Sequence, residues 1–167
     1  WKVCRECGVP GEAFLQEIVS YEGAARRLQK VATYGQTTIF RDFAHSPSKL
    51  KATVEAVKEQ FPEKKLIAVM ELHTFSSLSA RFLEEYEGCM QPADEAFVFF
   101  NPHTIAMKKL PPISEAEVYQ AFRKEGLKVF TQSDKLIQAL KDTIHDRCNL
   151  LLMSSGDFDG LDIGQLF

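Results

Sequence analysis

No apolar run in the sequence approaches the roughly 20 residues needed to cross a bilayer, which sets a membrane-spanning role aside. Charge of one sign is not in excess either. A net charge of −3 leaves no basic footprint for nucleic acid or for an anionic membrane surface. The opening residues Trp1-Lys2-Val3-Cys4 lack the basic region and apolar stretch of a secretory signal. There is no initiator methionine, so the chain is read as part of something longer, and its cysteine usage suits a reduced, cytoplasmic protein. Cysteine is scarce, at four residues. Cys4 and Cys7 form a C-x-x-C, but no second such pair and no histidine pair completes a four-ligand zinc site. Gly8 and Pro10 follow where a thioredoxin-like pair needs a helix. No metal site and no disulfide framework are expected. The motif G-x-x-x-x-G-K-[ST] is missing as well, so the chain has no phosphate-binding loop of its own.

What is present suits one compact domain with a short attached segment. Hydrophobic residues make up 45% and charged residues 26%, the balance of a globular fold with a real core. Residues 11–21 read as a short helix, with Phe14, Leu15, Ile18 and Val19 at helical spacing and Gly23 ending it. Residues 31–34 and 37–43 read as a β-hairpin around Gly35-Gln36. Ser46-Pro47 starts a helix whose buried stripe is Leu50, Val54, Val57 and Phe61, and Pro62 stops it. Strands are expected at 66–70, 96–100, 127–130 and 150–153. Helices are expected at 78–86, from a Ser114/Glu117 capping box to Phe122, and from a Ser133 cap with Leu136, Ile137, Leu140 and Ile144 inward. Strands alternating with helices give an α/β fold, a Rossmann-like, mostly parallel sheet wrapped by helices, with an N-terminal β-hairpin.

In such sheets ligands bind beyond the carboxyl ends of the strands. That selects the loops at 42–48, 71–77, 101–104 and 154–160. The first combines a carboxylate (Asp42), an aromatic face (Phe43), an imidazole (His45) and a helix start after Ser46. An Asp there can accept from ribose hydroxyls, a ring can stack on a base, and free N–H groups favour an anion. Satisfying a turn is an equally good use of Asp42 and His45. The second loop, Glu71-Leu72-His73-Thr74-Phe75-Ser76-Ser77, is a polar cluster after an apolar strand. The fourth, Ser154-Ser155-Gly156-Asp157-Phe158-Asp159-Gly160, can bring backbone N–H groups to an anion.

Together these pieces resemble the C-terminal third of the Mur ligase family, from about Gly11 onward. Arg41-Asp42-Phe43-Ala44-His45-Ser46-Pro47-Ser48 leading into Lys51-Ala52-Thr53 is similar to the family's D-D-[YF]-[AG]-H-[HN]-P-[ST] segment and following helix. Tyr21-Glu22-Gly23 with Arg26-Arg27 resembles the inter-domain link, Glu71-Leu72-His73 stands where a P-H-R or P-R-S loop would, and Met153-Ser154-Ser155-Gly156 with Phe158 and Gly160 resembles an M-S-N-G-x-F-x-G ending. The resemblance implies a three-domain, ATP- and Mg²⁺-dependent ligase that activates a carboxylate as an acyl phosphate for attack by an amine. The metal and most of the ATP would be held by a central domain, and a first domain would hold UDP-N-acetylmuramate. Residues 1–27 would be the end of the central domain and a hinge, and 28–167 the C-terminal domain. Arg26 would contact phosphate, Asp42 the ribose and Phe43 the adenine. His45, Ser46, His73, Thr74, Ser77, Ser155 and Gly156 would face the incoming substrate, with no catalytic residue in this piece alone.

Thr74 and Ser77 stand where alanine-adding members carry arginines, and Ser46 replaces a histidine. A hydroxyl cannot make the bidentate carboxylate clamp that an arginine makes. These departures favour a tripeptide as the incoming amine, with L-alanine as the alternative. A non-catalytic nucleotide-binding domain is the rival of another class, and it would need the phosphate loop that is missing. An enzyme complete in these residues would need a nucleophile–base pair, and none is evident.

Overall fold

Continuous apolar runs become central strands because a parallel sheet buries both of its faces. In the computed structural model, which describes residues 1–20, 24–145 and 147–167, β1 (Gln29–Tyr34) and β2 (Thr37–Asp42) form the hairpin. Strands β3 (Lys65–Glu71), β4 (Glu95–Phe99) and β6 (Cys148–Met153) are buried almost end to end, and β5 (Lys128–Phe130) lies at one edge. The order is β1-β2-β6-β3-β4-β5. The β1–β2 pair is antiparallel and every other neighbouring pair is parallel. Gly35, at φ 56°, makes the hairpin turn. The expected fold class is the observed one.

Helices cover both faces. Strand residues Leu66, Ala68 and Met70 pack with Leu50, Val54 and Val57 of α3 (Pro47–Gln60), Leu83 of α4 (Ala80–Leu83), and Val118 and Phe122 of α6 (Glu115–Phe122). On the other face Ile67, Val69 and Leu150 pack with Leu136 and Leu140 of α7 (Ser133–Thr143), and with Phe158 and Leu166 beyond β6. The chain therefore adds β2, β3, β4 and β5 along one direction, then returns over the opposite face to insert β6 between β2 and β3.

Local chemistry explains where the elements begin. Ser114 and Glu117 form the expected capping box. Ser46 occupies the N-cap of α3, yet its side chain makes no capping bond. The Ser133 cap is displaced: α7 starts one residue earlier than a Ser133 N-cap requires, so Gln132 is the N-cap and Ser133 the first helical residue. The helix expected over 78–86 is a short α4 followed by a 3-10 turn, Glu84–Tyr86. The loop expected at 101–104 opens α5 (Pro102–Met107), because the Asn101 side chain accepts from His103 N–H and Pro102 presets the first turn.

Two further helices, α1 (Lys2–Glu6) and α2 (Gly11–Ile18), precede the hairpin, and neither buries a residue. Trp1 and Phe14 contact each other at 5.1 Å between ring centroids, while Val3, Leu15 and Val19 remain exposed. The expected helix end at Tyr21-Glu22-Gly23 lies outside the described residues.

The start of the sheet is pinned by Asp94, which accepts from Leu66 N–H at 2.6 Å and from Lys58 of α3 at 2.7 Å. Burial pushes this carboxyl up, but the Leu66 N–H and the Lys58 ammonium outweigh it and hold it below its ordinary range. Glu95 is also lowered, with burial opposed by Lys65 and Lys128. A depressed folded-state pKa contributes stability that is present above the unfolded pKa of ~4 and lost as pH falls through the folded value. The free energy of unfolding should thus drop below about pH 4, and Asp94→Asn should flatten that drop in urea titrations.

Candidate functional site

The insertion of β6 creates a topological switch. Beyond β3 the chain turns to the α3/α4 face, with Leu72 and Leu78 in that core. Beyond β6 it turns to the opposite face, where Phe158 is buried. A crevice opens where chains part in this way, and ligands bind there in open α/β sheets. The register places Met70 opposite Met153, and Met153 opposite Asp42, so the ends of β2, β6 and β3 are neighbours.

Glu71 ends β3 at 3% exposure, a carboxylate closing the apolar run 66–70. Its Oε2 accepts the Ser154 hydroxyl and, at 2.9 Å, Phe158 N–H. Its Oε1 is 3.4 Å from His73 Nδ1. Ser154 Oγ in turn accepts from Gly156 N–H at 2.6 Å. Gly156 is held so close that an added Cβ would lie 2.8 Å from Glu71 Oε2 and 2.9 Å from His73 Nδ1. The 71–73 and 154–158 segments are thereby one unit. Ser155 Oγ is buried there with no hydrogen-bond partner among the described residues.

Asp42 performs a parallel task at β2. One oxygen accepts Leu28 N–H at 2.5 Å and the other accepts Ala44 N–H at 2.7 Å. Phe43 N–H donates to the Arg26 carbonyl, and Ser154 N–H to the Asp42 carbonyl. Asp42 therefore fastens residues 26–28 to the strand end while keeping further lone pairs on each oxygen. Arg26 is exposed in a left-handed conformation at φ 55°. Arg27, named in the link but given no ligand role from the sequence, has its guanidinium 5.2 Å from the centre of the Phe43 ring. His45 lies edge-on to the same ring, its Nδ1 2.9 Å from the Phe43 carbonyl, and its own carbonyl accepts from Tyr86 at 2.6 Å. Burial raises the Tyr86 hydroxyl far above its ordinary value, so it remains a donor.

Two of the remaining expected residues make local bonds. Thr74 and Ser77 bond each other, with Thr74 Oγ1 3.0 Å from Ser77 Oγ and accepting Ser77 N–H at 3.2 Å. Ser77 is fully buried. Phe75 is exposed, and Lys108 beyond α5 sits 4.4 Å from its ring centre. No group of three or more His, Cys, Asp or Glu that could hold a metal ion occurs among the described residues. None of the described helices is long and apolar enough to cross a membrane. A groove of about 450 Å³ between α4 and α6, lined by Glu84, Glu87, Glu117 and Arg123, draws no residue from the four strand-end loops.

Residues 26–156 match the profile of the Mur ligase, glutamate ligase domain. The chain belongs to the Mur ligase family. Among its relatives is a UDP-N-acetylmuramate–L-alanine ligase of Desulfitobacterium hafniense, 27% identical over 93% of this chain and 35% of that protein. A murein peptide ligase of Psychrobacter arcticus shares the fold with a TM-score of 0.70 and 17% identity, over 90% of this chain and 32% of that one. The MurF ligase of Thermotoga maritima, solved with ADP, shares it with a TM-score of 0.65 and 18% identity, over 98% and 34%. This Mur ligase domain thus spans about a third of the length of these relatives.

Asp42→Ala leaves the Leu28 and Ala44 N–H groups without their acceptor, at a cost of about 1–3 kcal/mol for each unsatisfied group that stays buried. A melting temperature lowered by several degrees is the expected result, and an unchanged one would remove Asp42 from its structural role. Gly156→Ala should destabilise as well, since the added methyl meets Glu71 and His73, and a urea titration reads the loss.

Proposed function

We propose that this domain closes on the incoming amine substrate of an ATP-dependent, amide-bond-forming ligase of peptidoglycan synthesis or recycling. The observation that carries the reading is the gathering of His73, Ser154 and Gly156 around Glu71 at the β3/β6 switch point. Residues 1–27 are the end of a preceding central domain and the hinge. This agrees with a family match that begins at residue 26 and with two leading helices that bury nothing.

The ATP edge lies at β2. The exposed Arg26 guanidinium meets phosphate, and the Phe43 ring, already against Arg27, takes the adenine. Asp42 accepts from ribose hydroxyls through lone pairs its two backbone contacts leave free. These groups fit a nucleotide. ATP supplies the phosphoryl group that activates the acid, with Mg²⁺ held mainly by the central domain. The residues of this domain bind and orient. His45, Ser46 and His73 set the amine end, with Thr74, Ser155 and Gly156 shaping the walls around it and the buried Ser77 holding the Thr74 turn from behind.

The amine is a tripeptide, such as L-Ala-γ-D-Glu-diamino acid, attached to UDP-N-acetylmuramate. No arginine lies between residues 72 and 80 to clamp a free amino-acid carboxylate, and Lys108 beside Phe75 offers a cation for a distal acidic group. The L-alanine alternative is favoured by the relationship to the D. hafniense L-alanine ligase.

The test is an assay of the full-length protein with UDP-N-acetylmuramate, ATP and Mg²⁺, offering L-alanine or the tripeptide side by side. The tripeptide should have the higher kcat/KM, and His73→Ala should reduce it with the fold intact. A higher value for L-alanine selects the alternative substrate. ATP binding with no ligase turnover selects the non-catalytic reading. Residues 1–167 alone should show neither ligase nor ATPase turnover.

A further inference from the structure

We propose that Glu71 is a positioning residue that holds His73 as its Nδ1–H tautomer, so that Nε2 presents a lone pair to the incoming amine. The inference rests on the reading above that His73 faces that amine.

The geometry divides the work of the two carboxylate oxygens. Oε2 is occupied by the Ser154 hydroxyl and the Phe158 N–H. Oε1 is left facing His73 Nδ1 at 3.4 Å, and among the described residues His73 is the one basic side chain within ion-pair reach of Glu71. A buried carboxylate requires donors, and at 3.4 Å the imidazole is the group placed to approach the second oxygen. A neutral imidazole that donates from Nδ1 has an accepting Nε2. The His73 side chain is 38% exposed while that of Glu71 is 4% exposed, so the ring reaches outward from a hidden anchor. Gly156 lies against the ring on the other side, where an added Cβ would come within 2.9 Å of Nδ1 and 3.0 Å of Cγ. Pairs of this kind, a carboxylate orienting an imidazole whose other nitrogen meets the reactant, recur on unrelated folds.

Glu71→Gln separates this role from a packing role. The carboxamide oxygen can still accept from Phe158 N–H and Ser154, but its NH₂ can only donate to Nδ1. The ring would then carry its proton on Nε2 and meet an ammonium with a donor.

The experiment uses full-length protein labelled with ¹⁵N-histidine, reading tautomers from two-bond ¹H–¹⁵N spectra and assigning His73 with His73→Ala. Wild type should show the Nδ1–H form, and Glu71→Gln the Nε2–H form. In the same variant kcat/KM for the amine substrate should fall about ten- to a hundredfold, as for loss of a hydrogen bond to a charged group. KM for ATP should stay within about twofold. An Nε2–H tautomer in the wild type overturns the inference without any variant, even if Glu71→Gln does not fold. An unchanged tautomer and unchanged amine kinetics in Glu71→Gln also overturn it. Unchanged amine kinetics in His73→Ala would overturn the placement of His73 at the amine, and this inference with it. Absence of ligase turnover in wild type would overturn the functional reading alone, because the tautomer spectra still decide whether Glu71 sets the ring.

Discussion

The buried carboxylate of Glu71 is the constraint on which the functional end of this domain depends. Inserting β6 between β2 and β3 sends the two departing chains to opposite faces of the sheet. Backbone N–H groups at such a parting lose their strand partners and must find acceptors elsewhere. Glu71 supplies one to Phe158 and takes the Ser154 hydroxyl, so the 154–158 segment is pinned to the end of β3. Desolvating a carboxylate costs several kcal/mol unless donors surround it, so the contacts around Glu71 stabilise one another or fail together.

The same device appears one strand over. Asp42 spends both oxygens on Leu28 and Ala44, drawing residues 26–28 against the end of β2. Two acidic strand ends thus hold residues 26–28 and 154–158, and Arg26, Ser155 and Gly156, proposed to touch substrate, lie on those segments. Binding and stability share residues here. Thr74 and Ser77 illustrate the division, since their hydroxyls close a turn on each other while His73 beside them stays half-exposed.

The fold was legible in residue patterns wherever burial is uniform. The runs at 66–70 and 150–153 could only be covered strands, and the Ser114/Glu117 box placed α6 from four residues of sequence. Marginal local signals were harder to read. Ser46 and Ser133 look alike as caps, yet Ser46 holds the N-cap position without a side-chain capping bond and Ser133 is the first residue of its helix. The helix at Pro102, expected only as a loop, has six residues and carries too little periodicity to announce itself.

By itself the sequence determined the alternation of strands and helices, and it named the candidate loops at the strand ends with Asp42, His45 and His73 among them. These follow from periodicity and from residue type, which act over a few positions. Only the tertiary structure decided that β6 lies between β2 and β3, that Glu71 meets a segment more than 80 residues away, and that Arg27 rather than Arg26 covers the Phe43 ring. Such pairings depend on strand order and on where two chains leave the sheet. No local pattern encodes a contact whose partners are brought together only by the packing of everything between them.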